Sequence, residues 1–147
     1  KVPLKAQLYC TLVHPHFQVK TKDAREVLPK LISLHDAVQQ AANTAGLMVG
    51  LMQPDYELIS KSLKDVIAEP VRARFIPDFF GIKQAAIEAG ALGCGISGSG
   101  PSMFALSKDV QVARRIGEEM RVRFANQAIN CDVHVSPINQ RGAQVIS

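Results

Sequence analysis

Tryptophan is missing from this chain, and two tyrosines and six phenylalanines are the whole aromatic content of its 147 residues. Proteins that hold single-stranded nucleic acid need aromatic faces on which bases stack, so the composition argues against that class. The 17 Lys and Arg against 13 Asp and Glu leave a net charge of +4. No five like charges stand together, however, and the basic residues, among them Lys20, Lys30, Arg72 and Arg123, are spread along the chain. Even the densest group, Arg114 to Arg123, is interrupted by Glu118 and Glu119, which reads as a solvated helix face. No apolar run approaches the roughly 18 residues of a membrane span, and no signal-peptide pattern is visible. The chain opens Lys1-Val2-Pro3 rather than with Met, as expected of a piece of a longer polypeptide.

Paired cysteines are lacking too. Cys10, Cys94 and Cys131 are odd in number, far apart and without a Cys-x-x-Cys spacing. Each lies among apolar neighbours, so small buried thiols in a reducing, cytoplasmic setting are expected rather than a disulfide or metal frame. What is present is ordinary for one globular domain over 1–147: 47% hydrophobic and 20% charged residues, in a chain long enough to bury about two thirds of its unfolded surface.

The pattern along the chain predicts the elements. Residues 7–14 alternate, with Ala6, Leu8, Cys10 and Leu12 opposite Gln7, Tyr9, Thr11 and Val13, a strand stopped by Pro15. Thr21-Lys22-Asp23 offers cap oxygens for a short helix running to Leu28 and ended near Pro29. From Ser33, the residues Leu34, Ala37, Val38, Ala41, Ala45, Met48, Val49 and Met52 follow helical spacing. Met48, Met52 and Met120, on such stripes, are expected in the core. Pro54-Asp55 breaks the long helix and caps another. A polar, Arg-rich turn follows Glu69-Pro70. Pro77-Asp78 then starts a helix with Phe79, Ile82, Ala85, Ala86 and Ala89 inward and Gly90 as its C′ residue. Asp109 begins a helix with Val112, Ile116, Met120 and Phe124 inward. Cys131, Val133 and Val135 mark a half-buried strand, and 143–146 a last one after a turn at 141–142. These add up to an α+β two-layer domain.

Between two of the short apolar segments runs Gly93-Cys94-Gly95-Ile96-Ser97-Gly98-Ser99-Gly100-Pro101. Its Gly-x-Gly-x-x-Gly spacing is not a dinucleotide fingerprint, because a helix precedes it and a strand-like run follows. Nor is it a Walker loop, since no Gly-Lys-Ser/Thr closes it. Small residues at 97–100 allow backbone N–H groups to converge, a concavity suited to phosphate or carboxylate. A tight hairpin with no ligand would use the same residues.

Gly95 to Leu106, with its Ile-Ser-Gly-Ser-Gly-Pro core, resembles the third, C-terminal motif of the GHMP kinase superfamily in its homoserine kinase branch. Asp65-Val66-Ile67-Ala68-Glu69-Pro70-Val71-Arg72, with Ile76-Pro77 following, is similar to a second segment of that branch, and Thr21 to Pro29 to a third. Three stretches in the family's order cover nearly the whole chain. The resemblance implies a ferredoxin-like plait of about four antiparallel strands with helices packed on the sheet. It implies ATP-dependent phosphorylation of the side-chain hydroxyl of L-homoserine, with Mg²⁺, in a step toward threonine. Arg25 and Arg72 match the arginines that hold the amino acid's carboxylate, a role suited to guanidinium forks. Ser97, Gly98, Ser99 and Gly100 match the loop facing the substrate and the phosphate end of the nucleotide. The superfamily's ATP loop, Pro-x-x-x-Gly-Leu-Gly-Ser-Ser, and its acidic Mg²⁺ ligand are absent. No catalytic residue and no metal ligand is therefore expected in these residues, and the chain alone is expected to be inactive. ATP would enter through an N-terminal domain outside this sequence. Gln39, Gln40 and Asn43 stand where some homoserine kinases carry a histidine, and no role carries over to them.

The remaining candidates read as ordinary structure. His14 and His16 flank Pro15 without a third ligand nearby, His35 and His134 read as surface residues, and Glu69 and Asp132 stand as isolated carboxylates. Two rivals stay open: another small-molecule kinase of the superfamily, and a free-standing regulatory module that binds an amino acid. Two arginines favour a substrate with a carboxylate over the first. A homodimer stays open, whereas nucleic acid and membrane are not expected as partners.

Overall fold

In the computed structural model, residues 4–141 and 145 are described, so the strand expected over 143–146 falls almost wholly outside them. Strands β1 (Tyr9–Pro15), β2 (Gly93–Ile96), β3 (Met103–Ser107) and β4 (Cys131–Pro137) form one sheet in the order β2-β3-β1-β4. Every neighbouring pair is antiparallel, with Leu12 opposite Phe104 on one side and His134 on the other. Helices α1 (Thr21–Glu26), α2 (Leu34–Met52), α3 (Tyr56–Ser62), α4 (Glu69–Arg72), α5 (Phe79–Glu88) and α6 (Val110–Ala125) complete the chain. This is the expected α+β layering. No helix among the described residues is long and apolar enough to cross a membrane.

One face of the sheet is sealed. Helices α5 and α6 lie on it, and Val13, Met103, Ile116, Met120 and Phe124 are fully buried between the layers. The sealed face of β1 carries Thr11, Val13 and Pro15, while Cys10 and Leu12 on the opposite face are only half-buried. Alternation therefore gave the strand correctly, yet helix packing, which the strand's own residues do not record, decides which side is the core. Thr11 Oγ1 donates to the Ala113 carbonyl of α6 at 2.8 Å, so the polar residue on that face is satisfied. Gly117 lets α6 lie this close, because a Cβ there would meet the Val133 side chain at 2.6 Å.

The helix ends follow local chemistry. Asp109 caps α6 by accepting from Gln111 and Val112 N–H, Ser33 caps α2 through Asp36 N–H, and Asp55 caps α3 through Leu58 N–H. At the end of α5, Gly90 (φ 103°) closes a Schellman turn, with Gly90 N–H on the Ile87 carbonyl and Ala91 N–H on the Ala86 carbonyl. Arg115 adds Nε and Nη2 to the Ala89 carbonyl at 3.1 and 2.8 Å. This member of the basic cluster is thus a clamp between α5 and α6, not an idle part of a solvated face.

Other expectations are corrected. Thr21 and Asp23 do not cap α1, whose N-cap is Lys20 with no side-chain bond. Asp78 precedes α5 in the left-handed region (φ 52°) and makes no cap bond. The Arg-rich turn after Glu69 is helical: α4, then a 3-10 turn over Ala73–Phe75. Cys94 is buried, but Cys10 and Cys131 are half-buried. Met120 is in the core, whereas Met48 and Met52 are not: the α2 stripe from Leu34 (81% exposed) through Val38 (60%) to Met52 faces outward. The inner side of α2 instead presents Gln40, Asn43, Leu47 and Leu51 to the rest of the domain.

Candidate functional site

The second face of the sheet is covered only at one end, where α2 and α3 close a small cluster around Leu8 and Ile59. Beyond that cluster, α2, the end of α3, the 63–68 loop, α4 and the strands β2 and β3 line a cavity of about 280 Å³. This is far more than the roughly 10–15 Å³ that one water needs on the same measure, and enough for a small metabolite.

Polar side chains hold the cavity wall in place. Asn43 Nδ2 donates to the Lys64 carbonyl at 3.1 Å, and Val66 N–H donates to Gln40 Oε1 at 3.0 Å. Gln39 Nε2 in turn donates to Asn43 Oδ1 at 2.9 Å. The Asp65 carboxylate accepts from Ile67 and Ala68 N–H at 2.8 Å each and from Glu69 N–H at 3.2 Å. These bonds brace the turn that leads into α4, whose N-cap is Ala68 and whose single turn ends in Arg72.

Arg72 is the best placed of the residues singled out from the sequence. Its Nε donates to the Ala24 carbonyl of α1 and its Nη1 to the Gly98 carbonyl, both at 3.0 Å. It therefore joins α1, α4 and the glycine loop, and it lines the cavity. A guanidinium has five N–H donors, so three remain after these two bonds. Arg25 follows Ala24 on α1; it is exposed and does not line the cavity.

The glycine loop is the turn of the β2–β3 hairpin. Ser97 N–H donates to the Ser102 carbonyl at 2.8 Å and Gly100 N–H to the Ser97 carbonyl at 3.0 Å. Gly98 (φ 62°) and Gly100 (φ 81°) lie in the left-handed region, and the Gly100–Pro101 bond is cis. Among the described residues, the N–H groups of Gly98 and Ser99 find no hydrogen-bond partner. Gly98 lines the cavity, so the loop offers donors of the kind an anion accepts. Ser99 Oγ is turned to the Gly100 carbonyl at 3.4 Å, and Ser97 is exposed without lining the cavity.

Two carboxylates taken as isolated have partners. Glu69 lines the cavity and is ion-paired with Lys83 of α5, their side chains 12% and 24% exposed. Asp132 Oδ2 meets His16 Nε2 at 3.0 Å, and His14 Nδ1 lies 2.8 Å from Ser102 Oγ. The two histidines thus serve different partners, and no group of three or more metal-type ligands occurs among the described residues. Cys94, behind the cavity, has its thiol pushed up to about 12, chiefly by burial. It is a protonated lining group at neutral pH, not a nucleophile.

Sequence reading missed Glu69 with Lys83, and it left Gln40 and Asn43 without a role. A partial signal existed. Gln40 and Asn43 are polar residues three apart on the side of α2 that also carries Leu47 and Leu51, and Asp65 stands shortly before a one-turn helix, where a carboxylate can accept from backbone N–H groups. The pairing of Glu69 with a lysine fourteen residues on has no local signature.

The family model described as "GHMP kinases C terminal" matches residues 35–126. A homoserine kinase of Chlorobium phaeobacteroides (strain BS1) is 51% identical over 147 residues, 99% of this chain and 46% of the relative. One from Chlorobaculum tepidum is 51% identical over 142 residues, 95% of this chain and 44% of its own length. The crystal structure of homoserine kinase from Cytophaga hutchinsonii superimposes with a TM-score of 0.95 at 51% identity, over 99% of this chain and 46% of that one. A phosphomevalonate kinase of Streptococcus pneumoniae shares the fold at a TM-score of 0.70 and 15% identity. The chain thus spans about half the length of the relatives it matches. With the family model matched over residues 35–126, more than half of its length, the chain belongs to the GHMP kinase C-terminal domain family.

Proposed function

We propose that this domain is the substrate-side part of a homoserine kinase, which transfers the γ-phosphoryl group of ATP, with Mg²⁺, to the side-chain hydroxyl of L-homoserine. Support comes from relatives 51% identical over nearly the whole chain that carry that name, and above all from Arg72. Its guanidinium sits at the cavity with three N–H donors to spare, anchored to α1 and to the glycine loop. A planar fork of this kind grips a carboxylate with paired charge-assisted bonds. Arg25, on the neighbouring helix, is the proposed second carboxylate ligand. The free Gly98 and Ser99 N–H groups would meet negative charge on the phosphoryl group in transit.

Phosphoryl transfer of this type relies on positioning and electrostatic stabilisation. In this reading the domain contributes the positioning of the amino acid, and the remainder of the longer protein contributes the ATP phosphates and the metal. The test is a coupled ADP-release assay on two proteins, the full-length kinase and the 147-residue chain. The full-length protein should turn over ATP with L-homoserine and not with mevalonate, and the 147-residue chain should do neither. Preference for mevalonate, or turnover by the isolated chain, would overturn the reading.

A further inference from the structure

The ion pair of Glu69 and Lys83 has no task in the reading above, yet among the described residues it is the least exposed ion pair, and it lies at the cavity wall. Burying two charges costs several kcal/mol per ion before their attraction offsets it, so such a pair calls for a reason. Helix α4 supplies one. It has four residues, and a single turn cannot hold itself in water. Its place depends on three ties: the Asp65 carboxylate on the Glu69 N–H at its start, Arg72 at its end, and Glu69 to α5 along its side. Glu69 and Arg72 are three residues apart, neighbours on one helix face. Gly95 of β2 leaves room for the carboxylate, since a Cβ there would lie 3.3 Å from Glu69 Oε2.

We infer that Glu69 and Lys83 are positioning residues. Their ion pair pins α4 between β2 and α5, so that the spare donors of Arg72 face the cavity at the angle a carboxylate needs. This rests on the proposed function above. Lys83 neutralises Glu69, which therefore acts through α4 and is not itself a subsite for the substrate's ammonium group.

Full-length E69Q, K83M and the double variant E69Q/K83M test this. E69Q strands a buried ammonium and should lower Tm; E69Q/K83M removes both charges and should recover most of it. Positioning predicts that KM for homoserine rises about tenfold in E69Q, the size of a typical contact coupling, and stays raised in E69Q/K83M. KM for ATP should hold near wild type in both. Adding R72K to E69Q should raise KM by less than the product of the two single effects. If E69Q/K83M restores KM together with Tm, the pair is structural only and the inference fails. It fails equally if the E69Q effect disappears with 4-hydroxybutyrate, which lacks the ammonium group, because Glu69 would then be a direct ligand. Should the wild-type protein not use homoserine at all, the functional reading fails by itself, and hydrogen exchange of the Arg72 Nε–H still decides positioning. Faster exchange in E69Q/K83M supports the tie, and an unchanged rate overturns it.

Discussion

The two faces of the sheet are built on opposite plans. Under α5 and α6, fully buried apolar side chains meet, and the polar Thr11 is tied to a helix carbonyl. Under α2, a cavity remains, and its wall is fixed by side-chain amides and carboxylates bonded to backbone groups. One face makes the domain stable. The other gives up packing to leave room, and holds its shape by directional bonds that survive without a filled core. Changes on the first face should therefore show in stability, and changes on the second in binding.

The largest effect should come from Phe124, fully buried on the sealed face. Phe124→Ala should cost about 3–5 kcal/mol, read as a lower denaturant midpoint with the slope unchanged.

Cys94, between the two faces, sharpens the comparison through pH. Its folded thiol is raised to about 12 from an ordinary 9.0, so above pH 9 the unfolded chain holds fewer protons than the folded one. Stability should then fall as pH rises from about 9 toward 12, by up to about 1.4 kcal/mol per pH unit from this group. Below pH 9 it contributes no slope. In Cys94→Ala that alkaline decline should be shallower, as chemical denaturation at pH 7, 9 and 10.5 would show.

Gly98 probes the cavity side. A Cβ there meets no atom within 4 Å, but its φ of 62° disfavours an L side chain. Gly98→Ala should cost about 1–2 kcal/mol of stability from that conformation, with a melting shift far below that of Phe124→Ala. Its activity loss in the full-length enzyme should be the greater effect. Smallest of all, exposed Ala128 takes φ 58° after α6. Ala128→Gly should stabilise by about 0.5–1 kcal/mol, as strain is relieved against glycine's entropy. Homoserine kinetics should not move.

Much of the sealed face was legible, because Val112, Ile116, Met120 and Phe124 repeat every four residues and Cys131, Val133 and Val135 every two. Periodicity shows that an element has an apolar side, but not what covers it. That is why the stripe from Leu34 to Met52 reads as core and lies open. The resemblance placed Arg72 and the glycine loop, whose backbone bond the structure supplies. The cavity wall was less legible, since Asn43 with Lys64 and Glu69 with Lys83 join residues 21 and 14 apart through side chains of no fixed spacing.

The account stands on Arg72 binding a carboxylate, and one measurement addresses that directly. In the full-length enzyme, KM is determined for L-homoserine and for 3-aminopropan-1-ol, its analogue without the carboxylate, with wild type and Arg72→Lys. Lysine keeps the charge but loses the second bond of the fork, worth about 0.5–1.5 kcal/mol, so KM for homoserine should rise roughly twofold to tenfold. KM for 3-aminopropan-1-ol and for ATP should change little, and Arg114→Ala, at an exposed position of α6, should leave all three near wild type. Equal losses for homoserine and its analogue in Arg72→Lys would contradict the account, leaving Arg72 as a structural link between α1 and the glycine loop.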